Sequence, residues 1–377
     1  MKTWPVVLLL SVGVLAAPHV VTVGGGKAPS LAVDHEERVH LVYQGLQSGD
    51  NIYYRQSGDG GLTWGDEINV SATPDKSVNP CVAAQGNQVA VAWLEDCRDH
   101  SGNDIYVAIS TDAGHTFGAP VDVSHTPGHS AHPVVAVSNG SVHVAWTDTS
   151  DGQGSPDVFY SSSDNGGKSW TKAIDVSRDH GVHGAPSIAV GRGGLVHLAW
   201  SDRCKGAKVP DIHLVRGMQD TWSPQHDVSP TSEISSHPSL ALRPDGRACV
   251  SWLEDCDTHR GNDIYFASED ANGNWSRPLD ISHTPGISSD PNLAISEEGR
   301  FYVTWVDTTS GRSHPDVWQS RSDDGRRFST SRNLSHTPGK SHEPHAAALS
   351  GGPVIAWEEV AGGKSWIKVI PGRIKAQ

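Results

Sequence analysis

The chain has 377 residues, 36% hydrophobic and 19% charged, with a formal net charge of −14. That acidic balance excludes the clustered lysine and arginine that nucleic acid or an anionic membrane surface demands. With 40 glycines and 23 prolines the composition is turn-rich, which favours an all-β chain.

The first element reads as an export signal: Lys2, an apolar run from Val6 to Ala17, and a small-residue cleavage site at Val14-Leu15-Ala16. The run is about 12 residues, short of the ~20 needed to span a bilayer. Residues 1–16 are therefore expected to be removed, leaving a secreted or periplasmic chain, monomeric and without a membrane span, whose residues 17–377 form one domain.

From there the chain repeats. A proline opening an apolar strand A recurs at Pro29, Pro80, Pro133, Pro186, Pro238, Pro291 and Pro344, in steps of 51 to 53 residues. An aromatic ending strand B recurs in phase at Tyr43, Trp93, Trp146, Trp200, Trp252, Trp305 and Trp357. A third marker, Asn51, Asp104, Asp157, Asp211, Asp263 and Asp316, opens strand C. Within each unit the pattern alternates with period two, as in Pro133–Val137, Val142–Trp146, Asp157–Tyr160 and Ile174–Ser177 of the third unit. Four short antiparallel strands per unit predict propeller blades near 27–75, 76–128, 129–181, 182–233, 234–286, 287–339 and 340–377. The last unit lacks a fourth strand, and His19–Val23 looks like that strand without a unit of its own. A seven-bladed β-propeller closed by the N-terminal strand follows, against an open or six-bladed alternative.

Between strands C and D lie Ser57-Gly-Asp59-Gly-Gly61-Leu-Thr-Trp64 and Ser110-Thr-Asp112-Ala-Gly114-His-Thr-Phe117. The third unit repeats the form with what reads as one inserted residue, Ser162 to Trp170 around Asp164, and the sixth keeps Asp323, Gly325 and Phe328. The fourth and fifth retain little beyond Trp222 and Trp275. A short aspartate that accepts backbone N–H bonds, followed by glycine, orders a turn and is a scaffold device. On these motifs the chain resembles the Asp-box (BNR-repeat) propellers of the sialidase-like superfamily over its length beyond the export signal. The resemblance implies a ligand face built from the D-to-A and B-to-C loops, opposite the Asp boxes. It does not carry the sialidase chemistry: no Arg-Ile-Pro element occurs, and Arg98, Arg203, Arg260 and Arg312 show no triad spacing.

Residues that differ from unit to unit are the functional candidates. The position before each strand-A proline reads Ala28, Asn79, His132, Ala185, His237, Asp290 and Glu343, and should converge on one channel mouth. His129, His183, His342 and His345 thicken the cluster. Imidazole and carboxylate together suit either a sugar-binding floor or a divalent metal held by residues such as His129, His132, His237 and His342; no cofactor is otherwise expected. The strand-B aromatic is followed two residues on by Glu95, Asp148, Asp202, Glu254, Asp307 or Glu359, read chiefly as loop-ordering carboxylates. For a glycoside hydrolase the acid–base candidates are Glu95, Asp96, Glu254 and Asp255, with Arg98, Arg203 and Arg260 orienting an anionic sugar. The leading expectation is recognition of an extracellular glycan or protein, with the hydrolase second and the metal site third. Export favours disulfides among Cys81, Cys97, Cys204 and Cys256, with Cys249 buried as a thiol and a thiolate metal site as the alternative.

Overall fold

The computed structural model describes residues 18–46, 49–97, 102–150, 155–178, 181–203, 209–256, 261–311 and 313–374, and only the backbone of Cys97 and Cys256. The expected export signal and Arg98, Cys204, Arg260 and Arg312 lie outside the described residues.

Among the described residues there is no helix; the chain is all-β. The third repeat shows the unit: Ser130–Ser138, Ser141–Asp148, Asp157–Ser163 and Ile174–Asp175 form one antiparallel sheet in chain order. Strand B is buried along its whole length, as in Val39–Gly45, Val196–Asp202 and Phe301–Asp307, because sheets cover both of its faces. The third marker also finds its role: Ser124 Oγ donates to Asp104 (3.2 Å) and Ser335 Oγ to Asp316 (2.8 Å), tying strand C to the chain after strand D.

Hydrogen bonding groups the strands into four four-stranded sheets, one of five and one of seven. The five-stranded sheet arises in the fourth repeat, where a hairpin at Thr221–Trp222 replaces the Asp box. The seven-stranded sheet joins both ends of the chain through Val21–Val33. The first half of that strand pairs with Lys364–Ile370 (Val21 opposite Val369, Gly25 opposite Trp366), and its second half pairs with Val39–Gly45. Gly26 sits at the hand-over, where a Cβ would meet the Tyr43 ring at 2.6 Å and the Gln44 carbonyl oxygen at 2.9 Å. The A strands are spatial neighbours in order, Val21–Val33 beside Lys76–Gln85 and so on to Lys340–Leu349, which again neighbours Val21–Val33.

The core lies between consecutive sheets. Ile105 and Val107 of the second repeat pack with Val135, Val144 and Trp146 of the third, and Trp93, Trp146, Trp200, Trp252, Trp305 and Trp357 are all 0% exposed. Buried histidines punctuate this core. His40 Nδ1 meets Tyr54 Oη at 2.7 Å and its Nε2 meets Asp34 at 3.2 Å. Burial pulls His143, His197 and His345 down to about 4. Because their folded pKa lies below the unfolded value near 6.5, the stability they contribute is complete above that pH and is lost as pH falls toward 4. Each then adds a slope of up to about 1.4 kcal/mol per pH unit. Urea midpoints measured from pH 7 to 4 should fall steeply, and less steeply in His345→Gln.

The Asp boxes differ from the sequence reading in register. In the first, Asp59 Oδ1 accepts from Ser57 Oγ (2.7 Å) and Thr63 N (2.9 Å), and Gly61 N donates to Ser57 Oγ (2.8 Å). In the third repeat the matching atoms belong to Ser163, Asn165, Gly167 and Ser169, so there is no insertion; Asn165, not Asp164, takes the aspartate's place. In the sixth the turn aspartate is Asp324, accepting from Arg326 N and Arg327 N, and Asp323 instead pairs with Arg300 at 2.7 Å. The fifth keeps a box through Asp270, which accepts from Asn272 N and Asn274 N.

Cys81 is a free thiol, as is buried Cys249. Strand A of the second repeat begins at Lys76, placing Cys81 opposite Ala92 while Cys97 lies opposite Gly102. Five residues of extended chain separate the two levels by roughly 16 Å, beyond the ~7 Å limit for a disulfide. The side chains of Cys97, Cys204 and Cys256 are outside the described residues.

Candidate functional site

Six of the seven A strands carry the same irregularity at their proline. The ladder slips between Lys27 and Ser30, Val78 and Cys81, Ser236 and Ser239, Ser289 and Asn292, and His342 and His345, with a matching slip in the third repeat. Proline cannot donate to the ladder, so a bulge forms there. The residue before it is forced out of the strand conformation: Ala28, Asn79, His132, His237, Asp290 and Glu343 all have φ between 48° and 52°. Ala185 does not, because strand A of the fourth repeat starts only at Ser187.

These pre-proline residues, Ala185 included, line one open cavity of about 340 Å³, and their prolines form its walls. A left-handed conformation in a residue with a side chain costs of order 1–3 kcal/mol. Here it turns side chains of differing chemistry off the sheets and into a common space. The prolines themselves are buried, whereas Asn79, His132, His237 and Glu343 are exposed to the cavity.

The electrostatics of the rim are uneven. His132 and His237 flank Ala185, and Asp290 and Glu343 are successive positions. Burial and the neighbouring His237 lower the His132 pKa. Thr147 Oγ1 donates to Ala131 O (3.1 Å), so at its 3.2 Å contact with His132 Nδ1 the imidazole is the donor. His132 Nε2 is then a lone-pair acceptor. Loss of surrounding water raises the Glu343 pKa, and the charges of Glu358 and Asp290 raise it further, against Lys27. None of the described residues lining this cavity is lysine or arginine. The site thus offers acceptors (His132 Nε2, Asp290, Glu343), the Asn79 amide, and apolar proline rings.

The carboxylates that follow the strand-B aromatic stand elsewhere and do structural work. Glu254 accepts from Thr231 Oγ1 (2.5 Å), Ser235 Oγ (2.6 Å) and Trp252 Nε1 (2.7 Å), all within 1% exposure of the residue. Glu95 accepts from Ser77 Oγ and Trp93 Nε1, both at 2.7 Å. Asp148, Asp307 and Glu359 hold Thr126, Thr284 and Thr337, the threonines of a Ser-His-Thr-Pro-Gly loop that recurs at residues 124–128, 282–286 and 335–339. In the fourth repeat His183 substitutes for that threonine, reaching Asp202 at 3.5 Å and Pro156 O at 2.9 Å.

Glu95 and Glu254 lie in different sheets, Glu95 accepting from a tryptophan and one hydroxyl and Glu254 from a tryptophan and two. Asp96 and Asp255 point outward as the next residues along their strands. Arg203 is exposed and does not line the cavity. The proposed metal set also separates. His132 and His237 reach the cavity, but His129 is on an exposed loop and His342 is half-buried one residue from the rim. Among the described residues no group of three or more His, Cys, Asp or Glu is placed to hold a metal ion. His345, in contrast, lines the cavity wall with Nδ1 accepting from Leu31 N at 3.2 Å. Sequence reasoning missed Lys27 and Glu358, whose charges act on Glu343; Glu358 pairs with His342 across the ladder.

No family model matches the sequence, and no curated protein matches it. Solved structures do match in shape. A polysaccharide lyase, an ulvan lyase, superposes with a TM-score of 0.65 at 11% identity, covering 93% of this chain and 94% of that one. A Dyadobacter fermentans protein of unknown function gives 0.56 at 14% identity, covering 95% and 99%. The Trypanosoma rangeli sialidase, in complex with the inhibitor DANA, gives 0.57 at 13% identity over 94% of this chain and 60% of its own. The likeness is one of fold. It places the chain among the propeller-like all-β architectures of sialidases and this lyase.

Proposed function

We propose that the chain is an exported, seven-bladed Asp-box propeller, closed by its N-terminal strand, that binds a neutral extracellular glycan at the pre-proline cavity. One observation carries the reading: six residues held at positive φ, five of them with polar side chains of differing chemistry, line a single cavity. A site of lone-pair acceptors and proline rings, with no cation among its lining residues, complements sugar hydroxyls and C–H faces and not a sugar carboxylate. The two seven-strand halves that share Val21–Val33, added to the other five sheets, support seven blades. The lyase and sialidase among the shape neighbours act on saccharides by name, which favours the ligand class.

The test uses strain as well as binding. Replacing His132, His237, Asp290 and Glu343 together with glycine should raise stability by about 1 kcal/mol per site, because glycine adopts positive φ freely. The same variant should lose glycan-array signal. Unchanged binding would refute the site; unchanged or lower stability would refute the stored strain.

A second reading, a glycan-cleaving enzyme, is favoured by two carboxyl groups at successive rim positions, Asp290 and Glu343, the pKa of Glu343 being raised by loss of surrounding water and by the charges of Glu358 and Asp290. A panel of fluorogenic glycosides and unsaturated-product absorbance separates it from binding. Turnover abolished in Glu343→Gln would establish it, and no turnover on any substrate would leave binding alone.

A further inference from the structure

A cavity larger than the central one lies elsewhere in the molecule. It measures about 850 Å³ and lies at the Asp-box end, between the fifth and sixth repeats. Its lining includes four arginines, Arg243, Arg247, Arg277 and Arg326, in a chain of net charge −14.

Its carboxylates are already engaged. Glu269 pairs with Arg216 and accepts from Ala248 N (3.0 Å), Asp270 and Asp324 accept the N–H groups of their turns, and Asp323 pairs with Arg300. Arg247 is paired with Asp245. The other three arginines are under-compensated. Arg243 stacks over the Phe301 ring with its guanidinium carbon 5.4 Å from the centroid, its Nε is buried without a hydrogen bond, and Asp245 is 3.9 Å away. Among the described residues, Arg277 and Arg326 have no side-chain hydrogen bond or ion pair, and both are exposed. Trp275, Phe266, Asn272 and Asn274 complete the walls with apolar faces and amides.

This junction differs from the one between the first two repeats. Between the first two repeats the Tyr54 hydroxyl fills the site against Gly114, where a Cβ would lie 1.9 Å from it. In the fifth repeat the matching residue is Phe266, which has no hydroxyl and packs on Phe301 and Phe328. The sixth Asp box is also one residue shorter, its glycine following its aspartate directly.

Arg277 and Arg326, exposed guanidinium groups with no ion pair among the described residues, stand beside an aromatic and amides, and such groups recognise oxyanions by forked hydrogen bonds. We infer that this cavity is a second binding site, for a saccharide that carries carboxylate or sulfate groups. It differs from the central cavity in face and in charge, and it does not depend on that site's function.

The experiment is calorimetric titration of the full chain with three probes: an oligogalacturonate, a sulfated dextran oligosaccharide and the same dextran without sulfate. A charged probe should bind, the neutral dextran should not bind here, and rising salt should weaken the interaction as screening requires. Binding of the uronate alone assigns the carboxylate, and of the sulfated probe alone the sulfate ester. Arg277→Gln with Arg326→Gln, both exposed and so compatible with an unchanged melting curve, should weaken binding at least tenfold. The glycine variant of the central cavity should leave it intact. Equal binding by the double variant, or no binding of either charged probe, would overturn the inference.

Discussion

Deleting residues 18–26 should bring about concentration-dependent association and cost more stability than any single core substitution. Val21 to Gly25 supply the hydrogen-bond partners of Lys364–Ile370, so their loss leaves that strand as a bare edge. An unpaired edge of this kind templates association with another chain. The deletion also uncovers Ile367 and Val369, both 0% exposed, and removes Val20, which packs against the cluster that contains Trp357. The expected loss is a large fraction of the 5–15 kcal/mol typical of a domain. Light scattering across a concentration series and thermal unfolding would both report it. Gly26→Val is the point version, since a side chain there collides with Tyr43 and Gln44. A deleted chain that shows no such association and keeps an unchanged melting temperature would defeat the closure reading.

Glu254→Ala should cost about 3 to 5 kcal/mol, because two hydroxyls and an indole N–H lose their buried acceptor at once. Asp255→Ala, one residue on and exposed, should stay within about 0.5 kcal/mol of the native chain. Denaturant midpoints measure both. Glycan binding by whatever Glu254→Ala protein remains folded should be unchanged, since Glu254 does not line the cavity. A stable Glu254→Ala protein that has lost binding would return that carboxylate to the active-site candidates.

The repeat was plain in the sequence because its marks are local: a proline, an aromatic a few residues on, an acid two residues after that. The acid's task was not local. Asp148 is occupied by Thr126, twenty-two residues earlier, and only the sheet brings them within 2.6 Å. Box register failed for a related reason. Ser162-Ser-Asp-Asn-Gly-Gly offers two aspartate-like residues and two glycines, and the choice of Asn165 rests on which serine faces the turn. The pre-proline residues were visible as a varying set, but their backbone was not. A residue before proline is ordinarily extended, and only the bulge places His132 or Glu343 at positive φ. The arginine cavity could not be read at all, because Arg243, Arg277 and Arg326 belong to three turns of two repeats.

The strand Val21–Val33 has a mechanical consequence. It runs antiparallel to Lys364–Ile370, so Val21 and Val369 face each other at the end where both strands leave the sheet. Tension applied to the two ends would load the hydrogen bonds singly, one after the next, as in a zipper. A chain that resists heat as a unit should therefore part at low force when pulled by its ends. Pulled instead from two interior positions such as Gly140 and Gly299, it should hold to higher force, because whole sheets must then separate together.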